Sequence, residues 1–354
     1  MKKKFKIGLF GINSDSGLSL TTAKEKWSAK VDELTKLIKY CDNNIDFILP
    51  LSKWKGWDGE SDPNSLSYET LTFSGYFGAL TKKLYFFSTV HVPFIHPVFV
   101  ARAIATNHKL TNGRVGLNVV CGWNQSEFKM FRNNDKVYSD DSRYKYGSEW
   151  LKIFNKITNP KIKKFSFKSD FFDIKNAQCN PKILKNQFKL MSAAYSESGR
   201  KFALKNCDYL FTMFHDLKKT KIRNSQILEE SNKNNKKIEL FAPIHIICRK
   251  SKSEANEFHD YYSRKKQDKK ATENFIVNVA KANKGPLYKI MKNKSDIIAS
   301  SCGSSIIKGD PNSVAEQLRE VQNAKFSGAA FSFVNYLDEI KFFNEKVLSK
   351  KIFN

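Results

Sequence analysis

Residues 113–128 read GRVGLNVVCGWNQSEF, and the fold follows from how this stretch is read. Residues 114–120 make a short apolar run ending in two β-branched valines, long enough for a buried strand and short for a helix. The run stops at Cys121-Gly122-Trp123-Asn124, a glycine-marked turn carrying groups that a core strand has no use for. An amide, Asn118, sits inside the run, and a carboxylate, Glu127, lies just beyond it. A buried amide has several hydrogen-bonding positions to fill and is costly if left unpaired. Either neighbouring backbone satisfies Asn118 in an ordinary core, or the C-terminal end of this strand opens into a binding site.

Working outward, strand-like and helix-like segments alternate. Upstream, Phe5–Ile12 reads as a strand and Ala23–Tyr40 as an amphipathic helix; Phe47–Leu51 is a strand and Ser67–Leu80 a helix. Leu84–Thr89 is a third strand, and Pro97 suits the first turn of a helix over Val98–Leu110. Downstream, a helix from about Ser142 to Ile157 precedes the strand Lys189–Ser192 with its helix Ser196–Lys205. The strand Tyr209–Phe211 leads to Leu217–Asn232, and Glu239–Cys248 is a longer strand followed by a helix from about Ser253. Pro311–Ala324 is helical, Ala329–Val334 a strand and Ile340–Ser349 a last helix. Eight strands with helices between them, in 354 residues, predict an α/β chain folded as a (β/α)8 TIM barrel with insertions. Residues 1–354 are read as a single barrel domain. An inserted hairpin is expected at about 163–179, and a lysine-rich lid at about 264–305, a span longer than an ordinary loop.

The hydrophobic fraction of 41% and 29 Phe are globular values. The net charge of +26 raises the question of a nucleic-acid or membrane partner. The basic residues are scattered, however, with no stripe and no recognisable module, which argues against specific nucleic-acid binding. A general attraction for anionic substrates or cofactors fits better. No stretch approaches a membrane span. Six cysteines without CxxC or regular spacing fit reduced thiols in the cytoplasm rather than a disulfide framework or a zinc site, and no metal site is expected. In a barrel the chemistry lies at the C-terminal ends of the strands. That rule gathers Ser52, Lys53 and Trp54, then Thr89 and His91, then Asn118, Cys121, Trp123 and Glu127, then Ser192–Gly199.

GRVGLNVVCGWNQSEF, with PLSKWKGWDG upstream (50–59) and DDSRYKYGSEWL downstream (140–151), resembles the bacterial luciferase-like flavin monooxygenases. The likeness is closest to the pyrimidine oxygenases and to the dimethyl sulfone and alkanesulfonate monooxygenases. FKSDFFDI (167–174) and GDPNSVAEQL (309–318) are similar to stretches found across that superfamily. The resemblance implies a barrel that binds FMN as FMNH2, supplied by a separate NAD(P)H:flavin reductase, and activates O2 on it. The substrate would be a small organosulfur or N-heterocyclic compound, cleaved at C–S or C–N. It further implies a homodimer or homotetramer.

Carried over residue by residue, the likeness places Ser52 and Lys53 beside the flavin ring, Asn118 on the isoalloxazine and Glu127 on the same loop. It places Arg143 and Tyr144 on the ribityl phosphate side and Ser196 at the helix opening under the phosphate. Thr89 matches a hydroxyl residue near the reactive edge and, with Asn118 and Trp123, would line an oxygen site; His91 would face substrate. Trp54, Trp57, Trp123 and Phe94 would build a dry pocket. One departure concerns the strand-five turn, Ala193-Ala194-Tyr195-Ser196, where the family has Gly-Ser-Ser or Gly-Gln-Ser; alanine narrows the approach to phosphate there. Two other readings stand beside the monooxygenase: hydride transfer from flavin or deazaflavin on the same barrel, and a flavin-binding protein without catalysis.

Overall fold

Alternation within the short apolar runs sorts side chains to two sides of a sheet. In Tyr85–His91, Phe86 and Val90 pack outward under the helices, and Phe87 packs inward with Phe47, Met191, Phe211 and Phe241. In Val115–Val120, Val115, Leu117 and Val119 go outward in the same way, which leaves Asn118 on the inner face. Such a sheet has apolar residues on both faces, so it must be covered outside by helices and filled inside by its own side chains.

The computed structural model describes residues 4–131, 140–184, 186–280, 285–350 and 352–353. Eight strands meet both demands as a closed parallel ring: β1 (Lys6–Phe10), β2 (Phe47–Leu49), β3 (Tyr85–His91), β4 (Val115–Val120), β5 (Leu190–Ala193), β6 (Tyr209–Phe211), β7 (Glu239–Cys248) and β8 (Gly328–Ser332). Each pairs with the next, and β8 returns to β1, so the (β/α)8 barrel expected from the sequence is present. The interior is packed rather than hollow. Phe47 lies edge-on to Phe87 and Phe241, with centroids 5.8 and 5.6 Å away.

Two local readings change, and the inserted hairpin stands. The first helix spans Val31–Asn44 rather than starting near residue 23. Leu18–Ala29 is instead an irregular segment pinned by buried Trp27, whose indole donates to the Ile12 carbonyl. The stretch 264–305 carries helices at Lys269–Val279, Pro286–Lys292 and Ser295–Ser301, and then a ninth parallel strand, Ser305–Gly309, on the C-terminal half of β7. Between β4 and β5 an antiparallel hairpin joins Phe165–Lys168 to Asp173–Ala177. Among the described residues no helix is long and apolar enough to cross a membrane.

The stretch that opens the sequence reading is anchored at its N-terminal end by Arg114. Its guanidinium donates to Thr81 Oγ1, Leu84 O, Gly78 O and Thr81 O at 2.7–3.0 Å, closing the turn between the second helix and β3. This is the barrel face that serves stability. Arg114→Ala leaves three carbonyls without these donors, so the urea midpoint should correspond to a loss of roughly 2–3 kcal/mol, with ligand binding at the opposite face retained. A loss under about 0.5 kcal/mol, the range of an ordinary surface substitution, would contradict this anchoring.

Candidate active site

At the C-terminal end of the barrel lies a cavity of about 960 Å3. Its floor is set by register: β3 and β4 place Thr89 directly beside Asn118. Thr89 Oγ1 donates to the Pro50 carbonyl at 2.6 Å, and so can only accept from Asn118 Nδ2 at 3.1 Å. This chain fixes the amide's orientation. Asn118 Oδ1 is then turned the other way, buried and without a hydrogen-bond partner among the described residues. A group with a donor is wanted there.

Lys53, from the loop after β2, and Glu127, from the one-turn helix Gln125–Phe128 beyond β4, form an ion pair at 2.9 Å. Their side chains are 6% and 1% exposed, so neither charge is hydrated in place of its partner. The same carboxylate oxygen accepts from the Trp54 N–H at 3.2 Å, and Lys53 Nζ sits 3.7 Å from the Trp57 ring centre. Burial pushes the Lys53 ammonium below its ordinary value, and Glu127 pulls it back. His91, at the end of β3, lies with Nδ1 3.8 Å from Glu127 Oε2. Burial drives its pKa down to about 4, Glu127 opposing and Lys53 assisting, so the ring is neutral near pH 7.

Ser196 caps the helix Glu197–Asn206 after β5, its hydroxyl accepting from Gly199 N at 3.2 Å and sharing a hydrogen bond with Tyr144 OH at 3.2 Å. A helix opening of this kind offers N–H groups and a positive dipole end to an anion. A Cβ at Gly199 would lie 2.6 Å from Tyr144 OH and 2.9 Å from the Ala194 methyl. Glycine here returns the room that Ala194 takes, which answers the departure at the strand-five turn. Arg143 holds the strand-four turn, donating to the Gly122 carbonyl at 3.0 Å.

Of the residues singled out in the sequence, Ser52, Lys53, Thr89, His91, Asn118, Trp123, Arg143, Tyr144 and Ser196 all line this one cavity. Glu127 stands behind it, holding Lys53. Trp57 and Trp123 form part of the wall, 6.2 Å apart. Trp54 and Phe94 do not: both pack on Phe131 outside the wall. Cys121 packs in the core at the cavity's lining, its thiol pushed up to about 12 by burial. His96 caps the helix Pro97–Leu110 from the barrel's outside. Among the described residues no cluster of His, Cys, Asp and Glu suits a metal.

The sequence reading expects a lid at about 264–305 but names none of the apolar residues by which that stretch lines the cavity. Phe275, Val279, Leu287, Ile290, Met291 and Ile297, all within the lysine-rich stretch, line it. The apolar run FIVNVA at 275–280 was the available signal. Polar ties join this insertion to three strand loops: Asn278 to Asn124 Oδ1 at 2.6 Å after β4, Asn274 to Trp57 O at 2.8 Å and Asp268 to Ser61 at 2.8 Å after β2, and Leu20 N–H to the Ala299 carbonyl at 2.7 Å after β1.

The profile of the luciferase-like monooxygenases matches residues 18–328, and the chain belongs to that family. Among curated proteins it is similar to the pyrimidine monooxygenase RutA of Acinetobacter baylyi, 25% identical over 209 residues, 58% of this chain and 55% of that protein. The matched stretch thus spans about half the length of that relative. Two solved structures share the fold. DmoA from Hyphomicrobium sulfonivorans has a TM-score of 0.83 at 14% identity, over 99% of this chain and 88% of that one. The long-chain alkane monooxygenase LadA has a TM-score of 0.83 at 18% identity, over 100% and 93%.

The ion pair gives this site its own stability test. Lys53→Met leaves the Glu127 carboxylate buried and uncompensated and should cost roughly 3–5 kcal/mol in urea unfolding, whereas Lys53→Met with Glu127→Leu removes both charges and should recover most of it. A double variant as unstable as the single one would show that the pair is not the source.

Proposed function

We propose that this chain is a flavin-dependent monooxygenase. It would bind reduced FMN in the cavity, receive it from a separate NAD(P)H-dependent flavin reductase, and oxidise a small organosulfur or N-heterocyclic compound with C–S or C–N cleavage. The cytoplasm, with its reduced thiols, is the compartment this implies. The observation that carries the reading is Asn118 Oδ1, a buried acceptor of fixed orientation on the cavity floor, in the same cavity as a helix opening suited to an anion.

Those features fit a reduced flavin mononucleotide, whose ring carries an N–H that the oxidised ring lacks and whose tail ends in phosphate. Asn118 would accept from the N–H that the ring gains on reduction, not from the imide N–H that both forms carry. Ser52 and Lys53 would border it. Ser196, Gly199 and Tyr144, with Arg143 at the adjoining turn, would hold the phosphate end. Bound there, the reduced flavin supplies the electrons that activate O2. The chain's own part is to orient and to dry the site. Thr89 locks the amide, Trp57 and Trp123 wall the reacting end, and the insertion at 264–305 serves as the lid that keeps water out.

Turnover under 18O2 with reduced FMN should place one labelled oxygen atom in the product; unlabelled product, or turnover without O2, contradicts the reading and favours hydride transfer. Asn118→Leu should weaken binding of reduced FMN about tenfold while changing oxidised FMN far less, since only the reduced ring loses a partner. Gly199→Ala should weaken both forms alike. Equal loss of both forms in Asn118→Leu would sink the role given to the amide.

A further inference from the structure

We propose that His91 selects the substrate, presenting a fixed hydrogen-bond acceptor, Nε2, to the cavity and so requiring a neutral substrate with an N–H or O–H donor. The inference rests on the flavin reading only in taking this cavity as the place where substrate meets cofactor. Glu127 Oε1 is occupied by Lys53 Nζ and Trp54 N. Its other oxygen, Oε2, has no hydrogen-bond partner among the described residues, and neither has His91 Nδ1, which faces it 3.8 Å away. A carboxylate facing the lone pair of an imidazole nitrogen is repulsive, and one facing N–H is attractive, so the proton belongs on Nδ1. The lone pair is then on Nε2. Only Nδ1 of the two ring nitrogens is sealed and unpartnered, and the ring's other edge is what His91 contributes to the cavity.

The ring cannot easily turn over. Phe94 packs edge-on against it at 5.2 Å and is itself stacked on Phe131 at 4.5 Å. Nor does it become a donor by protonation, because burial beside Lys53 keeps it neutral. Lactams, imides and other N–H heterocycles satisfy such an acceptor. Sulfones and sulfonates, which present only oxygen acceptors, leave it unpaired and set lone pair against lone pair. Of the two substrate classes open to the cavity, the geometry therefore favours the nitrogen compounds.

Three five-membered rings of similar size test this by calorimetry, with and without FMN: succinimide (one N–H), N-methylsuccinimide (none) and sulfolane (sulfone oxygens only). Succinimide should bind about tenfold more tightly than its N-methyl form, and that preference should vanish in His91→Phe. Glu127→Gln is the sharper probe. Lys53 and Trp54 hold the amide oxygen in the place of Oε1, which turns the amide N–H2 toward His91 and moves the ring proton to Nε2. The ratio of succinimide to sulfolane affinity should then fall at least tenfold.

On the unaltered protein, 15N shifts of labelled histidine should report an Nδ1–H ring at His91 and a change at Nε2 on adding succinimide. An Nε2–H ring, equal binding of the N-methyl compound, or a ratio unmoved by Glu127→Gln overturns the proposal. If FMN fails to bind while the succinimide preference persists, the role of His91 stands and the flavin reading falls. If FMN binds and the preference is absent, the reverse holds.

Discussion

The ion pair between Lys53 and Glu127 is the constraint on which the upper end of the barrel depends. Each charge is almost wholly removed from water, so neither loop can move away without stranding the other's partner. The pair therefore sets the distance between the chain leaving β2 and the chain leaving β4. His91, from the strand between them, is held against the same carboxylate. The insertion touches those two loops through Asn274 on the Trp57 carbonyl and Asn278 on Asn124, and it is tied separately to the loop after β1, where Leu20 N–H donates to the Ala299 carbonyl at 2.7 Å.

The strand-four stretch divides its tasks along its length. Arg114 ties the barrel's stability face, Val115, Leu117 and Val119 bind the strand to the helices, and Asn118 is the one inner-facing polar group. Gly122, at φ +93°, then turns the backbone where a side chain would meet the Phe128 ring. That turn brings Glu127 back over β3. A parallel strand in a barrel ends in a loop at the site, so its last residue and the turn after it are where sequence can change chemistry without disturbing the core.

All eight barrel strands were legible because each is a short apolar run between turn signals, followed by a helical period. Once the barrel is inferred, the strand ends converge, which is why Ser52, Lys53, Thr89, His91, Asn118 and Ser196 fall on one cavity. Glu127 lies just behind it. Less legible was the direction in which loop aromatics point. Trp54 and Trp57 are three residues apart in one irregular segment, and only Trp57 enters the wall; no periodicity tells them apart. The insertion was obscured by its own polarity. Its helices are short and carry their lysines outward, so the apolar face that lines the cavity is thin in sequence and visible only once folded. The first helix was begun too early because Ala23 and Trp27 are buried by irregular chain rather than by a helical face.

The central claim is that this cavity is built for a reduced rather than an oxidised flavin, and one titration on the unaltered protein tests it most directly. Under anaerobic conditions, quenching of tryptophan fluorescence from Trp57 and Trp123 should saturate at one FMNH2 per chain, with affinity about tenfold above that for FMN, as one unmade hydrogen bond to a buried acceptor requires. Quenching by neither form, or equal affinity for both, would contradict the account.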